Sequence, residues 1–226
     1  MRNSRLFKLT MMSILMLTAT AAFGWSTASA WTTTAGGLSL AATAPTSKLT
    51  INTASPVGVQ CTGTSTSGSL LSTSSTVVES PEKLSSSLTL TFTGCTAAGL
   101  AASVNCSGAA PELWGNSYTS GVTTGEIRNV LCSITVTSLP GCKITVTGTG
   151  TNGRAVYGTY ANATGQLTVL NPTSGTQIQT LTASWNSSCT ILTPRPGSAS
   201  ANFTNLSNGA LVYTSTASPK PVVTNP

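Results

Sequence analysis

The stretch Leu131–Gly148 constrains the fold of this chain more than any other; it reads LCSITVTSLPGCKITVTG. It contains two short runs in which an apolar residue alternates with Thr, Ser or Lys. That spacing is the period of a half-buried β-strand and not of a helix. Ser138–Gly141, between the runs, has turn-forming residues. The pattern predicts an antiparallel β-hairpin.

The register of this hairpin follows from its apolar residues. If those of both strands share one face, the loop contains three or five residues. A three-residue loop would place Pro140 where a type I turn disfavours it, so we predict five. The opposed pairs are then Val136 with Cys142, Ile134 with Ile144, and Cys132 with Val146. Cys132 and Cys142 would lie about 13 Å apart along the ladder, too far for a disulfide.

Residues 1–30 have the three parts of a secretory signal peptide. These are a basic start with Arg2, Arg5 and Lys8, an apolar run over Leu9–Ala22, and a small-residue cleavage site at Ala28–Ala30. The apolar run is shorter than the ~20 residues that a membrane span needs. We therefore predict a secreted, extracellular protein with no transmembrane segment after removal of the signal peptide.

Six cysteines follow the leader, and an even number in an exported chain predicts three disulfides. A metal site is not indicated, because the chain has no His and no Cys-x-x-Cys pair. Many connectivities are open, and the hairpin register removes only those that join Cys132 to Cys142. As a working hypothesis we take the sequential set, Cys61–Cys95, Cys106–Cys132 and Cys142–Cys189.

The rest of the chain contains short alternating strands roughly every 8–12 residues, which is typical of β-sandwiches. The cleanest strand prediction is Leu88–Cys95, in which apolar residues alternate with Thr. Asn152-Gly153 is the strongest two-residue hairpin signal, and the strands on either side of Asn208-Gly209 are predicted to pair. No sustained helical period follows the signal peptide.

The predicted fold is all-β: a disulfide-linked β-sandwich of the Ig-like or Greek-key type, preceded by the signal peptide. The sandwich domain is expected to span residues 48–215. Residues 31–47 are predicted to be a flexible or edge-strand lead-in, and residues 216–226, with three prolines, a Pro-rich tail.

The absence of His and Asp excludes a Ser-His-Asp or Cys-His arrangement, a His-ligated zinc and an Asp-built calcium loop. A glycosidase pair could come only from the four glutamates, Glu79, Glu82, Glu112 and Glu126. Glu112 has a neighbour, Trp114, that could stack on a sugar. We interpret Glu112 as a surface charge, and we predict no catalytic residue, no metal, no cofactor and no enzymatic activity.

Aromatic residues are the candidates for ligand binding, because an exposed aromatic platform holds polysaccharide in many β-sandwiches. The candidates are Trp31, Trp114, Tyr118, Tyr157, Tyr160 and Trp185. Trp114 and Tyr118, four residues apart, are the pair that we predict to be exposed and to bind a ligand. The alternative is that these rings pack in the core.

Charged residues are few, and without the leader the basic residues exceed the acidic ones by about three. They are scattered along the sequence and form no basic stripe of the kind that neutralises phosphates, so we predict no nucleic-acid partner.

Strand, turn and cysteine motifs occur in a recognisable order between Val59 and Thr214. They are FTGC at 92–95, LWGNSY at 113–118, GVTTGEI at 121–127, PGCKITVTG at 140–148, YANATGQLTV at 160–169, Ser188-Cys189, and ANF at 201–203. This order resembles a family of uncharacterised secreted actinobacterial proteins. The resemblance implies export and a β fold, and no activity. Its usual cysteines match Cys61, Cys95, Cys142 and Cys189, which implies that the additional Cys106 and Cys132 pair with each other.

Three functional hypotheses follow. The first is an exported, non-enzymatic β-sandwich protein of the cell envelope or extracellular space, whose partner is a cell-wall glycan or an extracellular protein. The second is a carbohydrate-binding or carbohydrate-active protein. The third is a secreted inhibitor or effector of a protein partner, which would present an exposed loop between bridged cysteines, such as Ala109–Thr124.

Overall fold

The computed structural model describes residues 32–33, 39–69, 81–85, 87–170, 179–216 and 220–224. The predicted signal peptide and Trp31 lie outside these residues. The strands are β1 Thr32–Thr33, β2 Ser39–Ala44, β3 Ser47–Ile51, β4 Val57–Ser69, β5 Glu82–Ser85, β6 Leu88–Ala97, β7 Leu100–Asn105, β8 Glu112–Thr119, β9 Val122–Arg128, β10 Leu131–Val136, β11 Lys143–Gly148, β12 Arg154–Ala161, β13 Gln166–Val169, β14 Leu181–Trp185, β15 Gly197–Thr204, β16 Leu211–Ser215 and β17 Val223–Thr224. A 3₁₀ turn spans Thr151–Gly153.

Eight antiparallel strands form a closed ring in the order β3-β15-β14-β11-β10-β7-β6-β4. The ring closes because β3 pairs with β15 on one side and with β4 on the other. The all-β class and the three disulfides are thus confirmed. The predicted sandwich of two separate sheets is not what forms, since one continuous sheet closes into a barrel.

The same sheet continues from β4 through β2, β16, β13, β12, β9, β8 and β5. β2 and β3 keep one register along β4, with Ala44 opposite Thr64 and Ser47 opposite Cys61. Pro45 lies between them and cannot donate a ladder hydrogen bond, so the strand is interrupted there. Beyond this break β2 pairs with β16, whereas β3 pairs with β15. Such strands, which change neighbours at a bend, make the corners of closed β folds.

The predicted hairpin is confirmed as β10 and β11. Cys132 is paired with Val146 and Ile134 with Ile144. The amide of Val136 donates to the carbonyl of Cys142, at 3.4 Å, and closes the five-residue loop. The two isoleucines are almost fully buried, as the alternation requires.

The disulfides join Cys61 to Cys95, Cys106 to Cys132 and Cys142 to Cys189, which is the sequential set. Each one lies between strands that are neighbours in the ring. Cys61 and Cys95 are directly opposed on β4 and β6. The other two bridges lie at the ends of the β7–β10 and β11–β14 pairs. One covalent link therefore joins two strands of the ring directly, and the other two join residues near the ends of neighbouring strands, with Cys189 in the turn after β14.

Both Asn-Gly sites form turns, but neither connects a hairpin. Asn152, Gly153 and Asn208 have positive φ, as such turns require. However, β11 pairs with β10 and β14, while β12 pairs with β9 and β13. Likewise, β15 and β16 pair with β3 and β2 rather than with each other. These turns are corners at which the chain changes its neighbours.

Parts of the predicted lead-in and tail belong to the folded body. β2 and Ser47 are in the sheet. Pro221 and Val223 are buried in the core. The Tyr160 hydroxyl donates to the Pro221 carbonyl at 2.6 Å, and the Asn162 side chain both donates to the carbonyl of Val223 and accepts from its amide. Residues 220–224 are therefore held mainly by side chains of β12 and the turn that follows it.

Candidate functional site

Five of the ten charged residues in the described part of the chain lie together on the outer face of β5, β8, β9 and β12. Two aromatic rings accompany them, and neither ring belongs to the main core cluster. We call this group the charged face; it consists of Lys83, Glu112, Trp114, Glu126, Arg128, Arg154 and Tyr157. In a chain with only 6% charged residues, such a concentration is the strongest candidate for a functional site.

Cross-strand pairing builds the charged face as two rows. The first row is Lys83, Trp114, Glu126 and Tyr157, and the second is Glu112, Arg128 and Arg154. Directly opposed side chains on one face lie about 5 Å apart at Cβ, so each member of a row contacts the next. The other face of the same strands carries Leu84, Leu113, Ile127 and Val156, which pack in or against the core.

β-bulges place Trp114 and Arg154 on the outer face. Between β8 and β9 the register shifts around Asn116, which leaves Trp114 opposite Glu126. Between β9 and β12 it shifts around Ala155, which leaves Arg154 opposite Arg128. A third shift, around Leu84, lies in β5. Without these extra residues Trp114 and Arg154 would point inward, because side chains alternate along a strand. Bulges that redirect side chains in this way are common next to functional sites.

Glu126 is the centre of the charged face, and its side chain has no exposed area. Arg128 contacts the Oε1 atom through two nitrogens, with Nε at 2.5 Å. Arg154 donates from Nε to Oε2 at 2.6 Å. The Arg128 side chain is itself only 6% exposed. A buried carboxylate destabilises the fold unless it is paired and hydrogen-bonded in this way.

Trp114 is held between cations and a carboxylate. The Arg128 guanidinium lies 4.1 Å from the ring centroid and the Lys83 ammonium 5.3 Å from it, in the geometry of cation–π contacts. Since β8 lies between β5 and β9, these two cations come from strands on opposite sides of the indole. The ring nitrogen donates to Glu112 Oε2 at 2.9 Å, and Lys83 donates to Glu112 Oε1 at 2.5 Å. The ring is part-exposed and fixed in orientation.

Glu112 is held as an anion. Burial by itself raises the pKa of its carboxyl group, but the hydrogen bonds from Lys83 and Trp114 and the charges of Lys83 and Arg128 outweigh that effect. The resulting pKa lies below the ordinary value of 4.5. A carboxyl group of this kind is poorly suited to donate a proton at neutral pH.

Trp114 and Tyr118, which the sequence predicted to be an exposed pair, lie on opposite faces of the sheet. Trp114 is on the outer face, whereas Tyr118 is opposite the buried Thr123 and packs against the core. The bulge at Asn116 is the reason. It turns the β8 residues that precede it to the face opposite the one that unbroken pairing would give them. Trp114 and Tyr118 therefore cannot form one platform, and Tyr157 is the ring that accompanies Trp114.

The other aromatic candidates are core residues. Trp185 is 4% exposed, and its ring nitrogen donates to the Pro194 carbonyl at 2.7 Å. Tyr160 is 8% exposed, and burial raises the pKa of its hydroxyl. The predicted alternative, packing in the core, applies to both. The sequence pointed to Tyr157 only as one of six aromatic candidates. It did not point to Arg128 or Arg154, although Glu126-x-Arg128 on one strand face was a readable signal.

The core also contains a cavity of about 80 Å³ between the two parts of the sheet. Its lining is apolar apart from a few hydroxyls, and the hydroxyl of Thr66 has no partner among the described residues. The volume is well below the roughly 300 Å³ of ordinary ligand pockets. The cavity is therefore a packing defect rather than the leading site.

No protein-family model matches this chain, and neither a curated protein nor a solved structure matches it. The resemblance to secreted actinobacterial proteins accordingly stays a prediction from the motifs. Among the described residues, none of the helices has the length and apolar character to cross a membrane. The same residues include no group of three or more Cys or Glu side chains placed to hold a metal ion.

Proposed function

We propose that this is an exported, non-enzymatic β protein of the cell envelope or extracellular space. The observation that carries the proposal is the set of three disulfides within one closed ring, since such bonds persist in oxidising, extracellular compartments. The N-terminal signal-peptide pattern supports the same conclusion.

The state of the carboxylates supports a non-enzymatic role. A glycosidase requires one carboxylic acid that stays protonated until it donates its proton to the leaving group. Glu112 has a lowered pKa, and both oxygens of Glu126 are bound by arginines. An inhibitor was expected to present Ala109–Thr124 as an exposed loop. Most of this segment belongs instead to β8 and β9.

Expression of the full chain in a secreting bacterial host tests the proposal. We expect a product in the medium that begins at Trp31 and has no thiol reactive toward Ellman's reagent, because all six cysteines are bonded. We also expect no new reducing ends after incubation with polysaccharides. Retention of the first 30 residues, free thiols in the folded protein, or polysaccharide cleavage would contradict the proposal.

Carbohydrate binding is the second candidate, and the fixed, part-exposed indole of Trp114 favours it. A ring that is already held by Arg128, Lys83 and Glu112 loses little conformational entropy when a sugar packs on it. Co-sedimentation with bacterial cell walls and insoluble polysaccharides is therefore expected to show saturable binding. Binding should be lost in Trp114→Ala.

The matched control is Tyr118→Phe, because Tyr118 faces the core and keeps its packing as phenylalanine. It is expected to bind like the wild type. Equal binding by Trp114→Ala and the wild type, with both proteins folded by circular dichroism, would rule out a glycan site at Trp114.

A further inference from the structure

The charge that the charged face presents to solvent is positive. The side chains of Lys83 and Arg154 are 35% and 31% exposed, whereas those of Glu112 and Glu126 are 17% and 0% exposed. The carboxylates of Glu112 and Glu126 are less exposed and are paired with cations, whereas Lys83 and Arg154 reach the solvent. An approaching ligand therefore meets ammonium and guanidinium groups before it meets a carboxylate.

The two exposed cations have donors to spare. Arg154 uses Nε for Glu126, and none of the hydrogen bonds among the described residues uses its two Nη groups. The end of a guanidinium can donate two parallel bonds to a carboxylate or sulfate. The Lys83 ammonium makes one described hydrogen bond, to Glu112, out of the three that it can donate.

The spacing of these cations suits a polymer. β5 and β12 are separated by β8 and β9, so Lys83 and Arg154 lie about 14 Å apart across the sheet. One small anion reaches only one of them. A chain with repeated acidic groups contacts both, and the second contact then forms at a high effective concentration.

An aromatic ring between the cations favours a sugar polymer over other polyanions. The part-exposed Trp114 is on β8, between the strands that carry Lys83 and Arg154, and flat apolar sugar faces pack on such a ring. Two exposed cations are a poor match for a nucleic acid, whose phosphates follow one another at about 1.7 Å along the duplex axis.

We infer that the charged face binds acidic polysaccharides through Lys83 and Arg154, which receive carboxylate or sulfate groups, with Trp114 as the apolar contact. This inference rests on the carbohydrate-binding candidate and specifies its ligand as anionic. The binding is electrostatic and largely solvent-exposed, so it weakens as salt screens the charges.

Calorimetric titration of the full mature protein tests the inference with matched pairs of probes. The pairs are polygalacturonate with its methyl ester, and dextran sulfate with dextran. We expect saturable binding to the acidic member of a pair only, with a Kd that rises at least tenfold between about 20 mM and about 200 mM salt. Lys83→Gln and Arg154→Lys are expected to weaken binding by about 3–10-fold each, since each removes one charged or bidentate contact at the rim of the site.

Lys143→Gln and Arg195→Lys are the controls, because they make the same two substitutions at exposed positions outside the charged face. They are expected to bind within about twofold of the wild type. Equal weakening by Lys83→Gln and Lys143→Gln would overturn the inference, since attraction by net charge alone would then be sufficient. Equal binding by Arg154→Lys and Arg195→Lys would overturn it as well, since Arg154 would then make no bidentate contact. Tighter binding to polyglutamate than to polygalacturonate, or no binding to either acidic probe, would also overturn it. Binding to the neutral member that depends on Trp114 would overturn the acidic specificity while leaving the carbohydrate-binding candidate intact.

Discussion

Replacing Glu126 by glutamine is expected to lower the free energy of unfolding by about 3–5 kcal/mol. The substitution keeps the shape of the side chain and removes its charge. Arg128, 6% exposed, then loses its hydrogen-bonded counter-ion and keeps only the nearby charge of Glu112, and Arg154 loses the partner of its Nε. Removing one partner of a buried ion pair lowers the free energy of unfolding for this reason, even where the intact pair contributes little to stability. Urea denaturation at neutral pH measures the change.

Glu82→Gln is the matched control. Glu82 is also on β5, next to Lys83, but it is part-exposed and takes part in none of the ion pairs among the described residues. Its substitution is expected to change the free energy of unfolding by less than about 0.5 kcal/mol. A Glu126→Gln variant as stable as Glu82→Gln would show that the arginines find other partners or water.

The Glu126 variant also separates structure from binding. A fall in stability with unchanged affinity for acidic probes would mean that Glu126 only supports the fold. If Glu126 orients Arg154, the affinity is expected to fall as well, in protein that is still folded at low temperature. A double-mutant cycle with Arg154→Lys isolates that coupling, since neighbouring residues in one network are not additive.

The hairpin register was predictable because its cause is local. The alternation in β10 and β11 defines one buried face, and only an odd loop length keeps Ile134 and Ile144 on that face. The Pro140-Gly141 pair then selects between the two lengths. A slip of one residue would expose every apolar side chain of one strand, so the alternatives are strongly unfavourable.

The corners were not predictable from local signals. Asn152, Gly153 and Asn208 adopt the left-handed conformations that their residue types favour. The local sequence specifies that the chain turns, but the partners of the next strand depend on distant segments. β12 pairs with β9 and β13, and β16 pairs with β2 and β13, because burial of their apolar faces depends on the whole sheet. The closed barrel forms in place of a sandwich for the same reason, since closure depends on pairing between strands that are distant in the sequence.

The charged face depends on bulges, which is why the sequence suggested only part of it. Ser120 and Gly121 have positive φ and join β8 to β9 in a two-residue turn, with Thr119 opposite Val122. Unbroken pairing from that turn would put Trp114 opposite Ile127, on the core face. One extra residue at Asn116 changes this, and no residue type marks it. Trp114 was therefore recognised as a candidate, while the arginines that surround it were not.

Removing the Cys142–Cys189 disulfide is expected to lower the free energy of unfolding by about 4 kcal/mol, through the larger entropy of the unfolded chain. The two cysteines are 47 residues apart, the largest separation of the three bridges, and both are fully buried. The paired variant Cys142→Ala/Cys189→Ala leaves no free thiol, so urea denaturation measures loss of the cross-link and its packing alone.

The comparison variant is Cys106→Ala/Cys132→Ala, whose cysteines are 26 residues apart. The shorter loop is expected to cost about 3.5 kcal/mol in the same model, slightly less than the longer one. Both bridges hold neighbouring strands of the ring, so the order of the two effects depends on loop length rather than on location. If Cys142→Ala/Cys189→Ala were within about 1 kcal/mol of the wild type, the cross-link would contribute little, and the ring would be stabilised by its hydrogen bonds and core alone.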